Sequence, residues 1–142
     1  QRQMCIRDSF KAATRGMPTH IHHGSYRHRE GYKGALALLQ EGVTALIAGD
    51  SMMTAGALEA CHNAGKRIGE EIALVGFDDF IYLRFQPSPI SVVDQDVARM
   101  GETATAKLIA AINKKHQPEG EVLETRYIPR MSTAHQLDGA TP

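Results

Sequence analysis

Two carboxylates draw attention by what precedes them. Asp50 follows the apolar run 44–48 (TALIA) and Gly49, and Asp78 closes the run 72–77 (IALVGF) just ahead of Asp79. Short uninterrupted apolar runs suit strands buried on both faces, as in a parallel sheet covered by helices. In such sheets ligands settle beyond the carboxyl ends of the strands, where the chain turns outward. Two neighbouring strand ends would bring Asp50 and Asp78 toward one crevice, so the chemistry on offer is binding. Each carboxylate also has a plain structural reading. Asp78 can be satisfied by backbone amides at a strand end, and Asp50 can cap the helix that follows. Asp79 reads as a turn residue rather than a ligand.

No other constellation competes with these. His20, His22, His23 and His28 are dense, but a metal needs three or four converging ligands and no Cys or carboxylate spacing supplies them. They read as solvent-facing histidines. Cys61 and His62 are adjacent on a helix and point apart, which rules out a simple nucleophile–base pair. There is no glycine-rich phosphate signature. The expectation is therefore a protein without catalysis, cofactor or metal.

The elements that position the two carboxylates follow from composition and pattern. The chain has 142 residues, of which 42% are hydrophobic, enough for one domain with a core. Lys and Arg number 16 against 16 for Asp and Glu, so this stretch carries no electrostatic footprint for nucleic acid. No apolar run reaches the roughly 18 residues of a membrane span, and the two cysteines form no disulfide framework. This predicts a cytoplasmic α/β domain.

Residues 1–9 (QRQMCIRDS) show no periodicity, cap or turn signal, and they read as a non-native, adapter-like segment expected to be extended or poorly ordered. Residues 10–16 read as a helix end stopped by Gly16, and 19–23 (THIHH) as a weak strand. A helix is expected over 28–40, with Tyr32, Ala35, Leu36 and Leu39 on one face and Gly42 as its stop. Strand 44–48 and a helix capped by Asp50 or Ser51 follow, with Met53, Ala57, Ala60, Cys61 and Ala64 turned inward and Gly65 ending it. After strand 72–79 comes an irregular, aromatic-rich segment, 80–89. Strand 90–93, a long helix capped by Asp96, a loop 116–120, a strand 122–128, a short extended piece 130–133 and a frayed tail complete the chain. Alternation of this kind predicts a three-layer parallel sheet with helices on both faces.

An ordered series of motifs carries a resemblance. AGKRIGEEIALVGFDDF, then PSPISVVDQDVARMG, then IPRMST resembles the lactose-repressor/galactose-repressor (LacI/GalR) transcription regulators over about residues 24–133. Their effector domain is similar to periplasmic sugar-binding proteins. The resemblance implies a partial type I periplasmic-binding-protein-like fold. In it, 10–89 form an incomplete carboxy-terminal lobe, 90–120 cross over as strand and helix of the amino-terminal lobe, 121–134 return, and 135–142 are a tail. It further implies operator DNA contacted only through an amino-terminal module outside this sequence, and a homodimer when intact.

The resemblance also names ligand-facing positions. Tyr26 matches an aromatic that stacks on the effector ring, with a half-buried core tyrosine as the alternative. Asp78 matches the acidic residue that binds ligand hydroxyls. Asp50 stands where the family usually has Asn, and Ser51 where it has Asp. A carboxylate accepts two hydroxyls through charge-assisted bonds, and an aromatic face covers the C–H side of a sugar ring. The surfaces of Met52, Met53, Phe80, Ile81, Tyr82, Leu83 and Phe85 match a dimer interface; the alternative is that they cover the chain's own sheet edge.

The reading is thus a sugar-effector-binding part of a transcription regulator, with the sugar-binding component of a transport system as the alternative. Val97, Met100 and Leu108 form a stripe suited to a lobe outside this sequence. The chain by itself is therefore expected to be marginally stable or aggregating, to bind sugars weakly or not at all, and not to bind DNA.

Overall fold

A computed structural model of the chain describes residues 2–113 and 119–137. Helix α1 spans Arg2–Ala13, α2 His28–Gln40 and α3 Ser51–Asn63; the four-residue turn α4 is Ile81–Arg84, α5 is Val97–Ile112 and α6 Met131–Leu137. The strands are β1 (Ala45–Ile47), β2 (Ala73–Phe77), β3 (Ser91–Asp94) and β4 (Arg126–Ile128), in that spatial order.

Strands β1, β2 and β3 run parallel, and β4 pairs antiparallel with β3. The sheet is therefore mixed, where alternation alone predicted a parallel one. Register sorts its faces. Leu46 pairs with Leu74, Gly76 with Val92 and Val92 with Ile128, so these five share one side. Helix α3 lies over that side: Ala57, Ala60 and Cys61 join Leu46, Leu74 and Val92 in the core. Helix α2 packs on α3 at a contact of small residues. A methyl on Gly56 would sit 2.2 Å from the His28 carbonyl, and one on Gly31 would sit 2.6 Å from Met53 Cα. Only glycine lets the two backbones approach so closely. On the opposite side α6 covers Ser91, whereas Ile47 remains 59% exposed.

The helix bounds follow local rules. Asp50 caps α3, and Gly16, Gly42 and Gly65 take positive φ just beyond α1, α2 and α3. Four expectations are corrected. Residues 2–13 are helical rather than extended from 1 to 9, and the Ile6 side chain lies outside what is described. Residues 19–23 join no ladder, because no strand among the described residues lies beside them. Residues 131–137 form α6 instead of an extended piece and a frayed tail, because 130–133 are held by side-chain bonds to β3 that turn the chain into a helix. The segment 80–89 contains the turn α4. The expected loop 116–120 and the end of the tail fall largely outside the described residues.

Candidate functional site

Because β1 and β2 are adjacent and parallel, their carboxyl ends lie on one rim of the sheet. Asp50 follows β1 and is extended, with φ −161. Its Oδ1 accepts the N–H groups of Met52 at 2.8 Å and Met53 at 3.4 Å, two of the unpaired donors at the start of α3. Its Oδ2 takes no bond among the described residues. The carboxylate is thus half committed to capping and half open.

Asp78 follows β2 in a left-handed conformation, φ 61, which Asp tolerates better than most side chains. Its N–H donates to the Val93 carbonyl at 2.9 Å, so the turn remains bonded to β3. Its Oδ1 accepts from Gln95 Nε2 at 2.8 Å. Gln95, from the link between β3 and α5, therefore sets the orientation of this carboxylate. Gln95 lies within the run PSPISVVDQDVARMG, but no local pattern there marks it for that work.

Asp79 differs from both. Arg130 Nη2 reaches its Oδ1 at 2.7 Å and Arg84 Nη2 its Oδ2 at 2.8 Å, and the carboxylate is 10% exposed. Burial by itself raises its pKa, but hydrogen bonds and charge from Arg130 and Arg84 outweigh that and hold it below the ordinary carboxylate range. Each oxygen of Asp79 is thus paired with an arginine. Asp79 belongs to a clasp that ties the segment after β4 to the sheet. Arg130 Nη1 donates to the Ile90 carbonyl, and the Arg130 N–H donates to Ser91 Oγ. Ser132 Oγ donates to the Leu74 carbonyl at 2.6 Å and accepts from the Ser91 N–H at 2.8 Å. The sequence signal for this clasp was the Arg-x-Ser-Thr run itself, 130–133.

Tyr26 lies just before α2 and is 43% exposed. It lines a cavity together with Gly49 and Met53, the neighbours of the Asp50 cap, but bonds to neither carboxylate among the described residues. The structure therefore brings Asp50 and Asp78 to adjacent strand ends, and Tyr26 shares a cavity with Gly49 and Met53, which flank Asp50 in the chain. Of the other chemically capable groups, Cys61 is fully buried, and burial pushes its thiol up to about 11, which keeps it protonated and inert. His20 pairs with Glu41, and His28 with Glu59 across α2 and α3 at 3.0 Å.

The segment read as a dimer surface divides. Met52, Phe80, Ile81, Tyr82 and Phe85 are exposed, and the Phe80 and Tyr82 rings stack at 5.9 Å. Leu83 is wholly buried in the chain's own core, so that position is corrected from partner contact to internal packing. Met53 is half-buried against α2 and the cavity.

The parallel strands with helices between them, and acidic residues at the strand ends, define a binding-protein architecture. Residues 4–133 match the family described as periplasmic binding protein-like domain, and the chain belongs to that family. Within it the chain is an effector-binding domain of the LacI/GalR type, as the relatives show. The HTH-type transcriptional regulator MalR of Streptomyces coelicolor is 30% identical over 115 residues, which are 80% of this chain and 33% of that protein. Among solved structures, a probable LacI family transcriptional regulator from Corynebacterium glutamicum superposes with TM-score 0.79 at 32% identity, over 92% of this chain and 48% of that one. A complex of the transcriptional regulator CelR with cellobiose gives TM-score 0.75 at 28% identity, over 89% of this chain and 40% of that one. The chain thus spans about a third of the length of MalR.

Proposed function

We propose that this chain is the effector-sensing part of a sugar-responsive transcription regulator, with no enzymatic step of its own. The observation that carries the reading is the pair Asp50 and Asp78 at neighbouring parallel strand ends, each keeping an oxygen outside its structural bond. Those oxygens would accept sugar hydroxyls, and Tyr26 would cover an apolar ring face. The cellobiose-bound relative supports a saccharide as the ligand class, and the regulators among the relatives support a regulator over a transport component. In the whole protein, effector binding would shift the arrangement of a DNA-binding module, the protein acting in the cytoplasm as a homodimer through Met52, Phe80, Ile81, Tyr82 and Phe85. Among the described residues no helix is long and apolar enough to cross a membrane.

Calorimetric titration of the whole regulator against mono- and disaccharides tests this. At least one saccharide should bind, and Asp78→Asn should weaken it by about 10- to 100-fold, the worth of a charge-assisted hydrogen bond. Binding that Asp78→Asn leaves unchanged, or no saccharide heat at all, would sink the proposal.

A further inference from the structure

The crevice between Asp50 and Asp78 opens where β1 and β2 stop pairing. In their parallel ladder the Ala73 N–H donates to the Thr44 carbonyl at 2.9 Å, and the Ala48 N–H to the Val75 carbonyl at 3.0 Å. Rungs of a parallel pair recur every two residues, so the next would join the Phe77 N–H to the Ala48 carbonyl. That bond is absent among the described residues. The Phe77 N–H donates instead to Thr54 Oγ1 at 2.9 Å. On the other edge of β2 the Asp78 N–H stays bonded to the Val93 carbonyl. Strand β2 thus keeps β3 and leaves β1.

Thr54, in the first turn of α3, is wholly buried. Its hydroxyl donates to the Asp50 carbonyl at 2.8 Å, and the same carbonyl accepts the Thr54 N–H at 2.8 Å. With the hydroxyl proton spent there, the oxygen is left as the acceptor for Phe77. A hydrogen-bond relay therefore runs from the residue before Asp78 through Thr54 to Asp50 itself. The bonds of such a relay polarise one another, and in a buried place each is stronger than in water. Gly76 leaves the room for it: a methyl there would sit 2.5 Å from Thr54 Cγ2 and 3.3 Å from Oγ1. Valine has nearly the shape of threonine, so packing alone does not explain a hydroxyl here.

We propose that Thr54 is a positioning residue for the effector site. Its hydroxyl stands in for the next rung of the ladder, holds the end of β1 away from β2, and sets the spacing at which Asp50 and Asp78 meet a saccharide. The proposal rests on the proposed function for those two carboxylates; Thr54 itself is buried and acts only through them. Without the hydroxyl the Phe77 N–H must be satisfied elsewhere, because an unpaired buried donor is costly. The acceptor that register offers is the Ala48 carbonyl. The ladder then gains one rung and the crevice narrows.

Two substitutions in the whole regulator separate the hydroxyl from the packing. Thr54→Val keeps the volume and removes the hydroxyl; Thr54→Ser keeps the hydroxyl and removes the methyl beside Gly76. In calorimetric titration with a panel of mono- and disaccharides, Thr54→Val should weaken the saccharide that the unaltered protein binds by about three- to tenfold, the net worth of one hydrogen bond. Thr54→Ser should stay within about twofold in affinity, yet have the lower melting temperature of the two, since only it loses a buried methyl. Crystal structures of the ligand-free proteins supply a measurement that needs no saccharide. In Thr54→Val the Phe77 N–H should bond the Ala48 carbonyl, with Asp50 and Asp78 closer together than in the unaltered protein. If the unaltered protein binds no saccharide, the proposed function falls and these structures alone decide the part played by Thr54. Unchanged affinity in Thr54→Val, equal losses in both variants, or strand ends that do not move would overturn the proposal. Failure of Thr54→Val to fold would also overturn it, because the added rung should keep that variant stable.

Discussion

The clasp around Ser91 and the helix α5 begin within a few residues of each other, yet their side chains meet opposite fates. Ser91, a polar residue, is entirely buried, because Arg130, Ser132 and Thr133 come from far along the chain to meet its N–H and its hydroxyl. Helix α5 carries Val97, Met100, Leu108, Ile109 and Ile112, and none of its residues is buried. Hydrophobicity does not bury a residue by itself; a facing surface must exist. The contrast teaches that β2 and β3 form a finished half of the structure, while α5 presents a face with no counterpart among the described residues.

The largest test of that contrast is one change of side chain in two places. Leu83→Ala removes a leucine from the core and should cost about 2–5 kcal/mol in denaturant unfolding. Leu108→Ala, at a site 60% exposed, should cost under about 0.5 kcal/mol. Similar losses would mean that α5 is covered in solution by another molecule. Next comes the clasp. Ser132→Ala strands the Leu74 carbonyl and the Ser91 N–H in the interior, at about 1–3 kcal/mol for each unsatisfied group. A loss below 1 kcal/mol in the same unfolding experiment would show that water replaces the hydroxyl.

A pH titration sharpens the comparison further. Asp79 has a lowered pKa in the folded state, so its contribution is fully present above the unfolded carboxyl value of about 3.9 and is lost as pH falls through the folded value. Asp79→Asn should therefore flatten part of the acid limb of melting temperature against pH. Parallel curves for the two proteins would remove Asp79 from the acid response. A last test lies on α5, where a methyl added at Gly101 meets nothing within 4 Å. Gly101→Ala should stabilise by up to about 1 kcal/mol through helix propensity alone. Destabilisation there would again point to something packed on that face.

What the sequence determined by itself is what neighbours in the chain decide. The extent of α2, the caps Asp50 and Asp96, the glycine stops after α2 and α3, and the positions of β1 to β3 follow from spacing, side-chain oxygens near free amides, and left-handed turns that favour glycine. The placing of Asp50 and Asp78 at strand ends was legible for the same reason. Tertiary structure decided everything that depends on a distant partner. The Leu74 carbonyl meets Ser132 across 58 positions, and Asp79 meets Arg130 across 51. No local pattern distinguishes a turn carboxylate from one that will be locked between two arginines. The antiparallel sense of β4, the burial of Leu83 inside an aromatic-rich surface segment, and the failure of 19–23 to become a strand have one physical cause. Each depends on which surface or backbone edge stands opposite, and a single stretch of residues does not carry that information.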